Sequence, residues 1–180
     1  MSTVIQSGSN YLHSLLADQS SVAASKQAWL NKLRSSAVES VSELTIPTTR
    51  DEEWRFTDLT MLTKVPLQPA QTSIKLAAAD IRRFHIKEAE NRLVFVDGVY
   101  AAHLSKIDNS LIILNNLSSL VDKQAALLQA HLAQQVPSAG NVFAALNTAQ
   151  LRDAALIMLP RDTQSKAPIH LLFIATQKEV

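Results

Sequence analysis

Apolar residues in the first part of the chain recur at steps of three and four, the spacing that places side chains on one face of a helix. Residues 9–18 predict a short helix that begins at Ser9 or Asn10, since both residue types are common N-caps. A longer helix is predicted over 22–45 and ends before Pro47, which lacks a backbone donor and restrains the preceding residue. The apolar stripe of this longer helix consists of Leu30, Leu33, Ala37, Val41 and Leu44.

Short helical turns follow the long helix. Thr49 and Glu52 have the spacing of a capping box, and Thr57 is placed to cap a second turn. Residues 63–75 are predicted to form an extended connector, and residues 77–86 a further short helix. The chain is therefore predicted to stay helical, with interruptions, up to about this point.

The hydrophobic pattern then changes. Residues 92–104 contain two β-branched and aromatic runs around Asp97 and Gly98, which tolerate the positive φ of a tight hairpin turn. Further strands are predicted at 111–117, 154–160 and 167–176, and further helices at 119–136 and from Asn141, which caps the second of them. The whole pattern predicts an α+β fold, with a helical region at 1–90 and an α/β module at 91–180.

Composition narrows the classes of function. The 180-residue chain has a formal net charge of +1 with dispersed basic residues, so it lacks the basic patch that nucleic acid or an anionic membrane would require. No apolar run approaches the ~20 residues of a membrane-spanning helix. The first residues lack the basic and apolar regions of a signal peptide, and a cytoplasmic location is therefore predicted.

Missing residue types exclude several kinds of site. Cysteine is absent, which excludes disulfides, thiolate nucleophiles and cysteine-ligated metal centres from this chain. With 3 glycines, the chain has none of the glycine-rich motifs that cradle phosphate groups. The 5 histidines show no pair at helical spacing and no H-E-x-x-H motif. His131 is predicted to flank an apolar stripe, and His170 to point from its strand toward solvent.

Two alternative functions stay open. A small cytoplasmic hydrolase or transferase, with a site assembled by the fold, would bring together at least two of a defined set of side chains. That set is His85, His103, His131 and Asp97. A helical interaction adaptor would instead need helix where strands are predicted, at 92–117 and 154–176.

Charged and aromatic residues concentrate at 51–59, where the sequence reads DEEWRFTDL. We call its central members the EEWRF patch: Glu52, Glu53, Trp54, Arg55, Phe56 and Asp58. Adjacent glutamates on a helix point about 100° apart, which favours roles near a helix N-terminus over an acid–base pair. Arg55 is placed to pair with Asp51 or Asp58.

The two aromatic residues of the EEWRF patch allow a structural and a functional interpretation. Trp54 and Phe56 are predicted to bury against a neighbouring element, because each aromatic side chain can remove ~150–250 Å² from water. The alternative is a docking surface for a partner protein, since Trp and Arg are favoured interface anchors.

Three stretches in fixed order carry a family resemblance. They are PTTRDEEWRFTDL at 47–59, RLVFVDGVY at 92–100, and NVFAALNTAQLRDAALIMLP at 141–160, followed by APIHLLFI at 167–174. Together they resemble the N-terminal part of the SufB/SufD family of iron–sulfur cluster assembly proteins, and the D-type member fits best. One difference is Asp153-Ala154, where the family pattern would have Asp-Gly, and this leaves the shape of the local turn open.

The resemblance implies a scaffold without catalytic activity. Family members have an N-terminal helical region, a right-handed parallel β-helix and a C-terminal helical region, and they assemble with a SufC-type ATPase and a SufB-type scaffold. Their complex builds clusters from iron and cysteine-derived sulfur. The ATPase-docking helices and cluster-related positions lie in the later part of the family's chain, so no catalytic, metal-binding or cofactor-binding residue is carried onto this sequence.

The resemblance also implies a truncated architecture. The sequence ends soon after the apolar strand predicted at 167–176, and an uncovered strand edge is a liability in a complete protein. Each coil of a β-helix buries its apolar face against the next coil. On this interpretation residues 154–176 supply the first strands of the β-helix, no cofactor binds this part, and the partner contacts lie mainly outside it.

Overall fold

The computed structural model describes residues 2–17, 22, 24–67, 75–108, 113–117, 122–136 and 139–176. These residues form two compact units, each made of stretches that are distant in sequence. The helical unit is drawn from 1–69 and 122–151, and the sheet unit is drawn from 70–121 and 152–178. This division differs from the boundary at 90–91 expected from the sequence, because the later helices pack with the first ones.

The described α-helices, in chain order, are α1 (Ser2–Leu16), α2 (Ala28–Glu43), α3 (Ala78–Ile81), α4 (Asp122–Gln129) and α5 (Val142–Ala149). All except α3 belong to the helical unit. Its core is a cluster of buried side chains from α1, α2 and α5, namely Leu12, Val41, Val142, Ala145 and Leu146. The predicted stripe of α2 is confirmed at its centre, since Ala37 and Val41 are each only 1% exposed.

Helix starts differ from the predicted ones. Since α1 begins at Ser2, Ser9 and Asn10 lie inside the helix and the prediction that they cap it is wrong. The second helix begins at Ala28 because Asn31 closes the preceding loop: its side-chain amide bonds both the N–H and the carbonyl of Ser25. Residues 18–21 and 23 lie outside the described residues.

The ends of the later helices also differ. The helix predicted over 119–136 ends at Gln129, and Val136 is 60% exposed rather than part of an apolar stripe. The predicted cap at Asn141 is confirmed, since its side-chain oxygen accepts from the N–H of Ala144 at 3.0 Å. Local capping chemistry thus predicts α5 better than periodicity predicts α4.

The described strands are β1 (Asn91–Val96), β2 (Val99–Tyr100), β3 (Ile113–Asn116), β4 (Ala155–Met158) and β5 (Ile169–Ile174). In the first sheet the order is β2-β1-β5, with β1 antiparallel to β2 and parallel to β5. In the second sheet β3 and β4 are antiparallel. These strands contradict the helical-adaptor alternative, which required helix over the same stretches.

The predicted hairpin is confirmed. Asp97 and Gly98 have φ of 49° and 79°, the positive values that a two-residue primed turn requires. Strand β1 buries both faces: Val94 and Val96 pack with Ile81 of α3, whereas Leu93 and Phe95 form a second cluster. The hairpin is therefore the centre of the sheet unit.

Among the described residues, all strands lie between 91 and 174, and helices occur both before and between them. A parallel β-helix beginning at 154–176 stays a prediction. Among the described residues, no helix is long and apolar enough to cross a membrane.

Candidate functional site

The EEWRF patch begins at a turn held by Asp51. The main-chain N–H and the hydroxyl of Thr48 both donate to the Asp51 carboxylate, at 2.7 and 3.1 Å. A single 3₁₀ turn follows over Glu52–Trp54, and its preceding residue is Asp51. The predicted capping box between Thr49 and Glu52 is wrong, because the contact across three positions forms between Thr48 and Asp51.

Trp54 is the anchored member of the patch. Its ring lies 5.4 Å from the ring of Phe143, at an interplanar angle of 45°. Phe143 belongs to α5 and packs against the core cluster of the helical unit. This ring contact attaches the loop after α2 to α5, which supports the structural interpretation at Trp54.

Phe56 is the exposed member of the patch. Its side chain is 94% exposed, so the prediction that it is buried beside Trp54 is wrong. The chain turns at residues 55–56 after the 3₁₀ turn, which directs the two aromatic rings to different surroundings. The Arg55 guanidinium lies 5.7 Å from the centre of the Phe56 ring, within cation–π distance.

Asp58 closes the patch with a second threonine. Its carboxylate accepts from both the N–H and the hydroxyl of Thr60, at 2.9 and 2.6 Å. These bonds lower the pKa of Asp58 below its ordinary value, the side-chain bond most, with a smaller contribution from the charge of Lys64. Asp58, rather than the predicted Thr57, therefore stabilises the next turn. Arg55 was predicted to pair with Asp51 or Asp58. The carboxylates of both residues instead accept hydrogen bonds from threonine, Thr48 and Thr60 respectively.

Two apolar side chains that follow Phe56 in the sequence are exposed as well. Met61 is 71% exposed and Val65 is 45% exposed, within the same stretch of the helical unit. Glu52 and Glu53 are exposed as well. An exposed aromatic ring with a guanidinium at cation–π distance is chemically suited to contact another protein surface.

Asp153 makes side-chain hydrogen bonds that the sequence did not predict. Its carboxylate accepts from the N–H of Leu117 at 2.8 Å and from the Asn116 amide at 3.0 Å, both at the end of β3. It also accepts from the N–H of Tyr100 in β2 at 3.2 Å. One side chain thus connects the hairpin to the second sheet. The only sequence signal was the unusual Asp153-Ala154 pair.

Asp97 has a similar role at the hairpin turn. Its carboxylate accepts from the N–H and hydroxyl of Thr176, at 2.9 and 2.7 Å, and its own N–H donates to the Ile174 carbonyl. The turn therefore holds the chain where it leaves β5. Each oxygen of the Asp97 carboxylate accepts one hydrogen bond from Thr176, which is a structural role.

Two of the side chains proposed for an enzyme pocket bind residues outside the proposed set. His103 Nε2 lies 3.2 Å from the Leu76 carbonyl, and Asp97 is bound to Thr176. His131 is exposed in the turns after α4, in the helical unit, whereas the other three belong to the sheet unit. Within the described ranges, no group of three or more potential metal-ligating side chains comes together.

His170 differs from its prediction. It is only 8% exposed, because it lies on the same face of β5 as Leu172 and Ile174, which join the cluster around Ile81. The prediction that it points to solvent is wrong.

Comparison with known proteins shows what this chain is similar to. A family model described as the SufBD protein N-terminal region matches residues 5–171. A curated Synechocystis sp. protein, described as an iron–sulfur cluster assembly SufBD family protein, is 35% identical over 163 residues, which cover 88% of this chain and 35% of that protein. An Arabidopsis thaliana protein with the same family description is 33% identical over 86 residues, covering 44% of this chain and 18% of that protein.

These matches identify the family. The chain belongs to the SufBD family, and its match is to the N-terminal region. It spans about a third of the length of the Synechocystis relative. The resemblance seen in the sequence blocks is confirmed at the level of the family.

Proposed function

We propose that this chain is the N-terminal part of a scaffold component in iron–sulfur cluster assembly. The observation that carries this proposal is the family match over 5–171, together with the description of the Synechocystis relative as an iron–sulfur cluster assembly protein. The cluster would be the product built on the complex, not a resident cofactor of this part. The chain would act by holding surfaces in position, without catalysing a reaction itself.

The finer assignment is a SufD-type protein in the cytoplasm, with a SufC-type ATPase and a SufB-type scaffold as partners. It rests on the order and spacing of the three sequence blocks, and on the charge distribution and absence of cysteine, which leave no cluster ligand of that kind in this chain. Contacts with nucleic acid or membrane form no part of the proposal.

The architecture that we propose for the longer protein is a β-helix that begins at 154–176. Two features of the sheet unit support it. Strand β5 pairs in parallel with β1, and its side chains Leu171 and Phe173, on the same face as Leu93 and Phe95, are still 38% and 65% exposed. An apolar strand surface of this kind is what a following coil would cover.

The test of the scaffold assignment uses purified proteins. The 180-residue chain, carrying an affinity tag, is mixed with the SufB-type and SufC-type proteins of its source, and captured protein is measured beside a tag-only control. Capture of either protein supports the assignment. The whole-length protein of the source is run in parallel, and if it also captures neither partner, the scaffold assignment is wrong.

A second, more specific proposal concerns the exposed half of the EEWRF patch. Arg55 and Phe56 would guide the SufB-type scaffold, since this pair is exposed while Trp54 is committed to Phe143. Phe56→Ala is expected to weaken capture of that scaffold roughly tenfold, as truncation of an interface aromatic does, without lowering thermal stability. Trp54→Ala is expected to lower stability, because it removes the ring contact with α5.

The chain offers a matched control for Phe56. Phe84 in the sheet unit is 46% exposed, and the Arg83 guanidinium lies 4.7 Å from its ring centre. Phe84→Ala therefore removes an equivalent Arg–Phe contact elsewhere. Equal capture by the wild-type chain and Phe56→Ala, or an equal loss in both variants, would contradict a specific role for the EEWRF patch while leaving the scaffold assignment intact.

A further inference from the structure

An arginine and a histidine are neighbours at the start of the β1–β5 pair. Arg92 and His170 are register partners on these parallel strands, so their side chains leave the sheet on the same face. Further along that face, the positions are the apolar Val94 and Leu172. The polar pair therefore closes one end of an apolar core.

The rings have buried nitrogens without hydrogen-bond partners. His170 is 8% exposed, and its Nδ1 is buried and unpartnered. His85 directly follows the 3₁₀ turn Arg82–Phe84, and its Nε2 is also buried and unpartnered. A charged imidazolium needs a partner or water at both nitrogens, and neither ring has that in the folded protein.

The charges that act on these rings are positive. Burial lowers the pKa of His85 most, followed by the charges of Arg92, His170 and Arg82. Burial also lowers the pKa of His170, with a further effect from Arg92. The Arg92 guanidinium is held in place by bonds from its Nε and one terminal nitrogen to the Leu104 carbonyl, at 3.4 and 3.3 Å.

Among the described residues, the charges that act on these two rings include no carboxylate. Lys106 meets Arg92 through a main-chain bridge, and its side chain is exposed. Glu88 and Glu90, between His85 and β1, are exposed too. Protonation of either ring would therefore add positive charge to a site that already holds a guanidinium.

We propose that His85 and His170, with Arg92 as the register partner of His170, make the sheet unit acid-sensitive, because each ring keeps its buried nitrogen in place only while its imidazole is neutral. Unfolded histidine has a pKa of about 6.5. Because the folded pKa of each ring is lower, the stabilisation is fully present above about pH 6.5 and is lost as the pH falls below it. The device would loosen the sheet unit in acid and leave the helical unit unaffected.

The direct test is a pH titration of the 180-residue chain by NMR, following the ring Cε1–H signals of all histidines. His13 and His131 are exposed in the helical unit and serve as internal controls. The expected result is that His85 and His170 titrate at lower pH than the controls, and that amide signals of residues 82–86 change together with them. Midpoints equal to those of the controls would overturn the proposal.

Variants supply an independent measurement. Each histidine that stays neutral when folded raises the unfolding constant by up to about tenfold per pH unit below about 6.5. The double variant His85→Gln/His170→Gln should remove this dependence between pH 7 and 5, whereas His13→Gln/His131→Gln should keep it. An unchanged pH dependence in the first variant overturns the proposal. If that variant does not fold, the wild-type NMR titration decides alone.

Discussion

The helical and sheet units are stabilised in different ways. In the helical unit, side chains such as Leu30 and Val41 are buried to 1% exposure, and the helices satisfy most of their own main-chain groups. In the sheet unit the strands are short. Side chains there form hydrogen bonds with main-chain groups that are not paired between strands. The Asp97 carboxylate accepts from the N–H and hydroxyl of Thr176, and the Asp153 carboxylate accepts from the N–H groups of Tyr100 and Leu117.

This difference predicts which kind of substitution destabilises each unit most. A helix needs outside donors and acceptors mainly at its ends, so the helical unit depends on the volume of its packed side chains. A two-to-six-residue strand has a large share of unpaired groups, and each buried one needs a partner. We therefore expect loss of volume to damage the helical unit most, and loss of a carboxylate to damage the sheet unit most.

The largest expected effect is that of Leu30→Ala. Removing this fully buried side chain should lower the free energy of unfolding by about 3 kcal/mol, since lost transfer energy and a residual cavity add together. Urea unfolding followed by tryptophan fluorescence measures it, because Trp29 and Trp54 both belong to the helical unit. Leu127→Ala, at a 44% exposed position of α4, is the control and should change stability by less than about 0.5 kcal/mol.

The next effect tests the sheet unit. Asp153→Ala leaves the donors of Asn116, Leu117 and Tyr100 without this carboxylate, and should cost about 2 kcal/mol. Amide hydrogen exchange at Leu117 and Tyr100 measures it, with Glu88→Ala as an exposed control in the same unit. Unchanged protection at both amides would show that the sheet unit does not depend on this carboxylate.

The smallest effect is a pair of opposite changes at two glycines. Gly8 lies inside α1 and an added Cβ would meet Ile46 at an ordinary 4.0 Å, so Gly8→Ala should stabilise the helical unit by about 0.5–1 kcal/mol. Gly98 has φ of 79° with open space around it, so Gly98→Ala should destabilise the sheet unit by about 1 kcal/mol through backbone strain alone. Thermal unfolding of both variants measures the two signs, and a shared sign would refute the backbone explanation.

Local chemistry made part of this fold predictable from sequence. The Asp97-Gly98 turn and the Asn141 cap depend on residues within a few positions, and both are found. Asp153 could not be predicted in the same way, because its partners in β2 and β3 are far away in sequence. His170 was ambiguous, since both alternating sets of β5 contain large apolar residues, and only the register with β1 decides which set is buried.

The EEWRF patch shows the same limit. Composition predicted two buried aromatics, yet only Trp54 has a ring within reach, that of Phe143 in α5. Which of two neighbouring aromatics is buried depends on the turn after Glu52–Trp54, and that turn uses Asp51 and Thr48 in place of the expected pair. Arg34 was missed because its long side chain lies on the buried face of α2, with Nε donating to the Leu151 carbonyl.

The parallel pairing of β1 with β5 sets an order of events during synthesis. Asn91 pairs with Ile169 and Val96 with Ile174, so β1 can meet this partner only after the ribosome has released the later strand. Until then β1 has β2 as its hairpin partner, and an isolated two-stranded hairpin is marginally stable in water. The apolar side chains of β1 are open to other nascent chains for that interval. We therefore expect slower translation past the hairpin to lengthen the time during which β1 can aggregate.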